Sequence, residues 1–264
     1  MSFYSEEAEM SNEQRLAGKV ALITGGSRGI GEAIVRRLAK DGADVAFTYR
    51  SGKDEAQVIA ADLSALGRRA LVIEADLADP EVPASVVAAT VGGLGRLDIV
   101  VNNAGVTSFG RLDEVSAESF DDLVAVDARA PFLLLAAAAG ALADGGRVIN
   151  ISSALTSTAL AGLSLYSAAK AFVDQLTKVA AVELAPRKIT VNAVAPGTTA
   201  TGRLSNPSPD QRDQWGAAFS LGRIGEPDDT AELVAFLASD EAGFITGQVI
   251  YNSGGQLGPV GRAA

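Results

Sequence analysis

KVALITGGSRGIGEAIVRRLAK, residues 19–40, decides the fold. A short apolar run, KVALI, passes directly into a glycine-rich stretch, TGGSRGIG at 24–31, and then into a helical segment over 30–40. Continuous apolar strands of this kind suit a parallel sheet covered on both faces. The alternation continues: ADVAFTY, ALVIEA, LDIVVN, RVINIS, ITVNAVA and QVIYNS read as strands, while 54–66, 82–94, two stretches around 120–143, and 164–184 read as helices. Right-handed crossovers between about seven such strands predict an α/β fold, a single-domain Rossmann-like doubly wound parallel sheet with helices on both faces. A chain of 264 residues accommodates one such unit, and no internal repeat or interdomain linker divides it. The expected organisation is a flexible tail at 1–15 and one domain at 16–264. Its irregular region, 196–228, carries Pro207, Pro209 and Pro227, and a loop this long predicts a substrate lid around 197–226.

Composition narrows the chemistry. No apolar run reaches the roughly 20 residues that span a bilayer, and the acidic, polar opening MSFYSEEAEMSNEQR lacks a signal peptide's basic start, which points to a cytoplasmic protein without a membrane partner. A formal charge of −10 repels nucleic acid. With no cysteine and no histidine there are no disulfides or thiolate metal sites, and no metal is expected. The usual acid-base group near neutral pH is also missing. The glycine turn supplies the first candidate site: Gly25, Gly29 and Gly31 allow a tight turn and close approach of a pyrophosphate, which the helix's N-terminal amides and dipole then favour. Their G-x3-G-x-G spacing differs from the common dinucleotide fingerprint G-x-G-x-x-G.

Five motifs in order resemble those of the short-chain dehydrogenase/reductase family over about residues 16–255. They are TGGSRGIG at 24–31, NNAG at 102–105, Ser153 thirteen residues before Tyr166, the Tyr166-x-x-x-Lys170 pair, and Pro196-Gly197. The resemblance implies nicotinamide dinucleotide binding by Gly25, Ser27, Arg28, Gly29, Ile30 and Gly31, by Arg50, Ser51, Asp76 and Leu77, and by Asn103, Ala104 and Gly105. Tyr166, Lys170, Pro196, Gly197, Thr199 and Thr201 complete that set. In the family an acidic residue ending the second strand favours NAD. Here that strand ends in Thr48-Tyr49-Arg50-Ser51, and Arg28 with Arg50 are placed to hold a 2′-phosphate, so NADP(H) is expected over NAD(H). The alternative is two solvated arginines. Asp76 resembles the family's adenine-contacting aspartate, or caps a helix before Pro80.

A tyrosine has a reference pKa of about 10 and needs its anion stabilised before it can serve at neutral pH. On a helix Lys170 shares a face with Tyr166 and does so electrostatically. Ser153 is placed to donate a hydrogen bond to a substrate carbonyl. By resemblance, hydride passes to the carbonyl carbon while Tyr166 protonates the oxygen. The family's fourth catalytic residue is an asparagine that kinks a helix and holds a water; in VAVDARAPF, alignment on Pro131 puts Asp127 there. Its carboxylate is expected to raise the pKa of Lys170 and weaken the lysine's support of tyrosinate, or else Asp127 is an ordinary helix residue. Leu155, Thr156, Thr158, Leu160, Leu163 and the 203–219 region suggest an uncharged ketone or alcohol, with Arg203 or Arg212 available to an acidic carrier and Trp215 either capping substrate or packing the lid. Alanine-rich helices at 132–143 and 168–185 have more small apolar surface than one sheet face needs, and by resemblance to the family they suggest a homodimer or homotetramer. The leading expectation is an NADPH-dependent ketone reductase resembling 3-oxoacyl-carrier-protein reductases. An oxidatively acting alcohol, steroid or dihydrodiol dehydrogenase and a non-catalytic dinucleotide sensor are the alternatives.

Overall fold

The computed structural model of the chain describes residues 14–204 and 208–256, excepting the side chains of residues 203, 209 and 212. The elements are β1 (Val20–Ile23), α1 (Gly29–Lys40), β2 (Asp44–Tyr49), α2 (Lys53–Ala65), β3 (Ala70–Glu74), α3 (Val82–Leu94), β4 (Ile99–Asn102), α4 (Ala117–Val124), a π-helical turn (Ala125–Arg129), α5 (Ala130–Ala141), β5 (Arg147–Ile151), α6 (Ser164–Leu184), β6 (Thr190–Pro196), α7 (Pro209–Gly216), α8 (Pro227–Ala238) and β7 (Val249–Asn252). The strands form one sheet in the order β3-β2-β1-β4-β5-β6-β7, parallel at every pairing. In register, Ala21 of β1 faces Val45 of β2 on one side and Ile99 of β4 on the other.

The period-2 alternation of a strand explains how one sheet feeds two cores. Ala21 and Ile23 turn to the face covered by α1 and α8, with Ile34, Leu38 and Val234 packed on them. Val20 and Leu22 turn to the opposite face, where Val86 of α3, Leu134 of α5 and Ala181 of α6 close over them. Each such fully buried Val, Leu or Ile contributes about 1.5–3 kcal/mol. At the base of the sheet the buried Asp98 carboxylate accepts the Val20 amide at 2.9 Å and pairs with Arg96 at 2.6 Å, fixing β1 against β4. The crossovers run to opposite sides of the sheet between β1 and β4, so the carboxyl ends of those strands open into a crevice.

Four differences from the sequence expectations have physical reasons. The tail at 1–15 lies outside the described residues except for its last two, and Arg15 is part of the folded unit: its guanidinium donates to Asp41 at 2.7 Å. The two stretches around 120–143 are one continuous run, 117–141, widened by the π turn, and its apolar character is that of a core helix packed on α3. Helix α8 was not anticipated, although Pro227 at its first turn and the reciprocal capping of Glu226 and Asp229 are start signals. Within the lid region, α7 is likewise regular, begun by a capping box between Ser208 and Gln211. Trp215 packs with Ala200, Phe219 and Ile224 in a small core within residues 197–226.

Candidate active site

The turn between β1 and α1 is held open from three directions. Gly25 and Gly29 have φ of 66° and 57°, the left-handed region that a side chain strains to enter. At Gly31 a Cβ would stand 2.0 Å from the Gly25 carbonyl oxygen, so only glycine lets the helix begin this close to the strand. The Gly25 amide donates to Thr48 Oγ1 at 3.0 Å, and Asn103 Nδ2 donates to the carbonyls of Thr24 and Gly25 at 2.9 and 3.1 Å. Thr24 Oγ1 in turn accepts the amides of Asn103 and Ala104. The ends of β1, β2 and β4 are thereby tied around the turn. Thr24, Thr48 and Gly26, whose missing Cβ makes room for Phe47, were not singled out from the sequence; a hydroxyl at the carboxyl end of an apolar strand was the available signal for the two threonines.

A cavity of about 660 Å³ lies over this turn. Gly25, Ser27, Arg28, Gly29, Ile30 and Gly31 line it together with Arg50 and Ser51, Asp76 and Leu77, and Asn103, Ala104 and Gly105, and Thr201 lies close to Gly29. Tyr49, Val106, Thr107 and Val126 also line it and were not expected. Arg28 and Arg50 stand out. Among the described arginine side chains they are the two that make no ion pair and no hydrogen bond with the protein. Asp76 caps no helix, since α3 begins at Val82 behind Glu81; its Oδ1 accepts the Ala78 amide at 3.0 Å and leaves the side chain on the cavity wall.

A second cavity of about 290 Å³ continues from the first, sharing Ile30, Asn103, Gly105, Thr107 and Thr201. Asp127, Ser153, Tyr166, Lys170, Pro196, Gly197 and Thr199 line it. Ser153 follows β5 and heads a short 3₁₀ turn, its Oγ accepting the Leu155 amide at 3.3 Å. Tyr166 and Lys170 lie one turn apart on α6, with Nζ 5.7 Å from the centre of the tyrosine ring. Lys170 is buried, donates to the Ile151 carbonyl at 3.2 Å and lies 3.0 Å from Asp127 Oδ1. Burial is the largest influence on this ammonium and opposes its charge. Tyr166, Asp127 and Asp174 together outweigh it and raise the Lys170 pKa above its ordinary value, the direction expected from an aspartate at this position.

Helix α6 is anchored where it matters by a buried relay that sequence reasoning missed. Asn102 Nδ2 donates to Asn150 Oδ1, Asn150 Nδ2 to Thr177 Oγ1, and Thr177 Oγ1 to the Val173 carbonyl, each at 2.8 Å. The chain crosses β4, β5 and α6. Polar residues inside otherwise apolar strand and helix patterns were its only trace in the sequence.

A third, more open groove of about 450 Å³ runs beside the first turn of α6, between Leu112 and the stretch 158–162, and reaches Ser164 and Ser167 on either side of Tyr166 in the chain. Thr158 and Leu160, two of the expected substrate contacts, line this groove, whose lining includes none of Ser153, Tyr166 and Lys170. Leu163 does not line it, being buried, and the Thr156 hydroxyl is engaged with the Ser153 carbonyl at 3.0 Å and the Tyr251 hydroxyl at 3.2 Å. Arg203 and Arg212 lie outside the described side chains.

Known proteins are similar to this chain in sequence and fold. A family model described as enoyl-(acyl carrier protein) reductase matches residues 25–256. Versicolorin reductase 1 of Aspergillus parasiticus is 39% identical over 93% of this chain and 99% of its own. The 3-oxoacyl-[acyl-carrier-protein] reductase FabG of Staphylococcus aureus is 38% identical over 90% of this chain and 97% of its own. A short chain dehydrogenase from Burkholderia cenocepacia, solved in complex with NADP, superposes with a TM-score of 0.87 at 43% identity, covering 92% of this chain and 99% of that one. The chain belongs to the short-chain dehydrogenase/reductase family of oxidoreductases and is similar to its 3-oxoacyl-carrier-protein reductases.

Proposed function

We propose that the protein reduces an uncharged ketone to a secondary alcohol with NADPH, using Tyr166 as the general acid. The observation that carries this reading is the continuity of the two cavities: Ser153, Tyr166 and Lys170 open into the space that runs through Ile30 and Asn103 to the glycine turn. The residues fit a dinucleotide. The turn has no side chain at the points of closest approach, and the amides that begin α1 favour a pyrophosphate. Arg28 and Arg50, without acidic partners, supply the charge for a 2′-phosphate, and the relative from Burkholderia cenocepacia binds NADP. Asp76 and Leu77 border the place where an adenine would rest.

When bound, the reduced nicotinamide supplies the hydride to the carbonyl carbon. Ser153 donates a hydrogen bond to the carbonyl oxygen and holds it beside the phenol. As that oxygen gains the electron pair of the C=O bond, Tyr166 gives it a proton, and Lys170 stabilises the phenolate that is left. Pro196, Gly197, Thr199 and Thr201 border the same space, and Asp127 acts through Lys170. Leu155, Thr158 and Leu160, in the stretch that follows Ser153, support an uncharged substrate. The exposed apolar side chains of α5 and α6 support a homodimer or homotetramer.

The test is consumption of reduced nucleotide against a panel of ketones, run with NADPH and NADH. The expected result is turnover with NADPH that disappears in Tyr166→Phe. Preference for oxidised nucleotide and alcohols would instead give the oxidative dehydrogenase. Binding without turnover would give the sensor.

A further inference from the structure

The ammonium of Lys170 has a second charged neighbour as close as any atom that touches it. Asp127 Oδ1 lies 3.0 Å from Nζ, its Oδ2 accepts the Val106 amide at 2.8 Å, and the side chain is sealed from solvent. Two backbone features make the contact. The π turn carries Asp127, and Gly105 opposite leaves the space: a Cβ there would stand 2.8 Å from Asp127 Oδ1 and 3.2 Å from Lys170 Nζ. At this distance Oδ1 acts on Lys170 through its charge first and through hydrogen bonding second, and both favour the ammonium. The titratable groups around the ammonium are Tyr166 and Asp174 on α6 and Asp127 on the π turn; from β5 it meets the Ile151 carbonyl.

A buried cation held 3.0 Å from a buried anion presents little net charge to a ring 5.7 Å away. We propose that Asp127 is a positioning residue whose charge offsets that of Lys170 and so sets the pH at which Tyr166 changes from proton donor to proton acceptor, keeping the donor form to higher pH than an unpaired lysine allows. This rests on the reading of Tyr166 as the acid-base group. The overall equilibrium constant fixes the ratio of kcat/KM in the two directions at any pH, so Asp127 does not favour reduction over oxidation. It moves the pH limb of both.

Asp127→Asn keeps the shape of the side chain and an acceptor for the Val106 amide while removing the charge. Tyrosinate absorbance of the nucleotide-free protein is titrated with pH. Each protein is read as a difference from its own Tyr166→Phe counterpart, which isolates one of the chain's four tyrosines. The expected result is a midpoint lowered by about one pH unit in Asp127→Asn, roughly a tenfold change in proton affinity. The expected fall is smaller in Asp174→Asn, whose carboxylate is the weakest of the charges acting on the ammonium. In the assay, the limbs of kcat/KM for reduction and for oxidation move down by the same interval, which a merely structural role does not produce. An unchanged midpoint overturns the proposal even if ketones are reduced. A wild type that turns nothing over overturns the functional reading while the midpoint shift still stands. If circular dichroism shows Asp127→Asn unfolded, Asp127→Ser takes its place; loss of fold in both overturns the proposal, because the carboxylate is then a structural requirement.

Discussion

Tyr166 and Lys170 are four residues apart because a helical turn is 3.6 residues long, and that spacing is the whole of their local information. In the fold, Lys170 is buried and lines one cavity with Ser153 and Tyr166. Tyr166→Phe should lower kcat/KM by about 10²–10⁴, the usual worth of a positioned acid-base group, while the Kd of the nucleotide, followed by fluorescence, changes far less. The two unpaired arginines make a separate prediction. Arg28→Ala or Arg50→Ala should each raise KM for NADPH roughly tenfold, the value of a charge-assisted hydrogen bond of about 1.5 kcal/mol, and leave KM for NADH within about twofold. Equal losses with both nucleotides would show that the arginines read the shared pyrophosphate and not a 2′-phosphate.

At the scale of elements, the site depends on two close approaches. The β1–α1 turn is one: Gly31→Ala pushes a Cβ onto the Gly25 carbonyl, a backbone atom that cannot swing away. Binding of the nucleotide should weaken at least tenfold, with stability reduced by about 1–3 kcal/mol, the range for overpacking a tight interior. The β4–β5–α6 relay is the other. Thr177→Val keeps the volume of the side chain but leaves the Asn150 amide without its acceptor, and should cost about 1–3 kcal/mol in chemical denaturation. The segment that leads into α8 carries a pH-dependent tie. Arg223 forms two hydrogen bonds to Asp229 and holds that carboxyl below its ordinary pKa, against the opposing effect of partial burial. A depressed carboxyl stabilises the fold above its unfolded value of about 3.9 and loses that contribution as pH falls through its lower folded value. The melting temperatures of wild type and Asp229→Asn should therefore differ at neutral pH and converge below about pH 4.

Over the whole molecule, the apolar surface is uneven. Phe120 of α4, Phe132 of α5, and Phe172, Val179 and Val182 of α6 are exposed, and the rings of Phe132 and Phe172 meet with centroids 6.5 Å apart. These helices cover the sheet with one face and present the other outward, so a second copy of the chain is the occupant proposed for it. Val182→Asp should shift the sedimentation coefficient toward that of a monomer. An unchanged coefficient would move the interface elsewhere.

Residues 19–40 determined the architecture almost unaided. An apolar strand, a turn that only glycines can make and a helix leave one way to fold, and six further strand-like runs extended the pattern to a seven-stranded parallel sheet. Local periodicity and steric exclusion are properties of neighbouring residues, and a sequence displays them directly. The helix at Pro227–Ala238 was legible in the same way, from its proline and its capping pair, and was overlooked beside the irregular lid. Other features had no local signature. The partnerless state of Arg28 and Arg50, the relay through Asn102, Asn150 and Thr177, and the 3.0 Å approach of Asp127 to Lys170 join residues between 22 and 75 positions apart. Such distances, and the charge balance they create inside a buried cavity, are set when the sheet brings its strand ends together. Only the tertiary structure decides them.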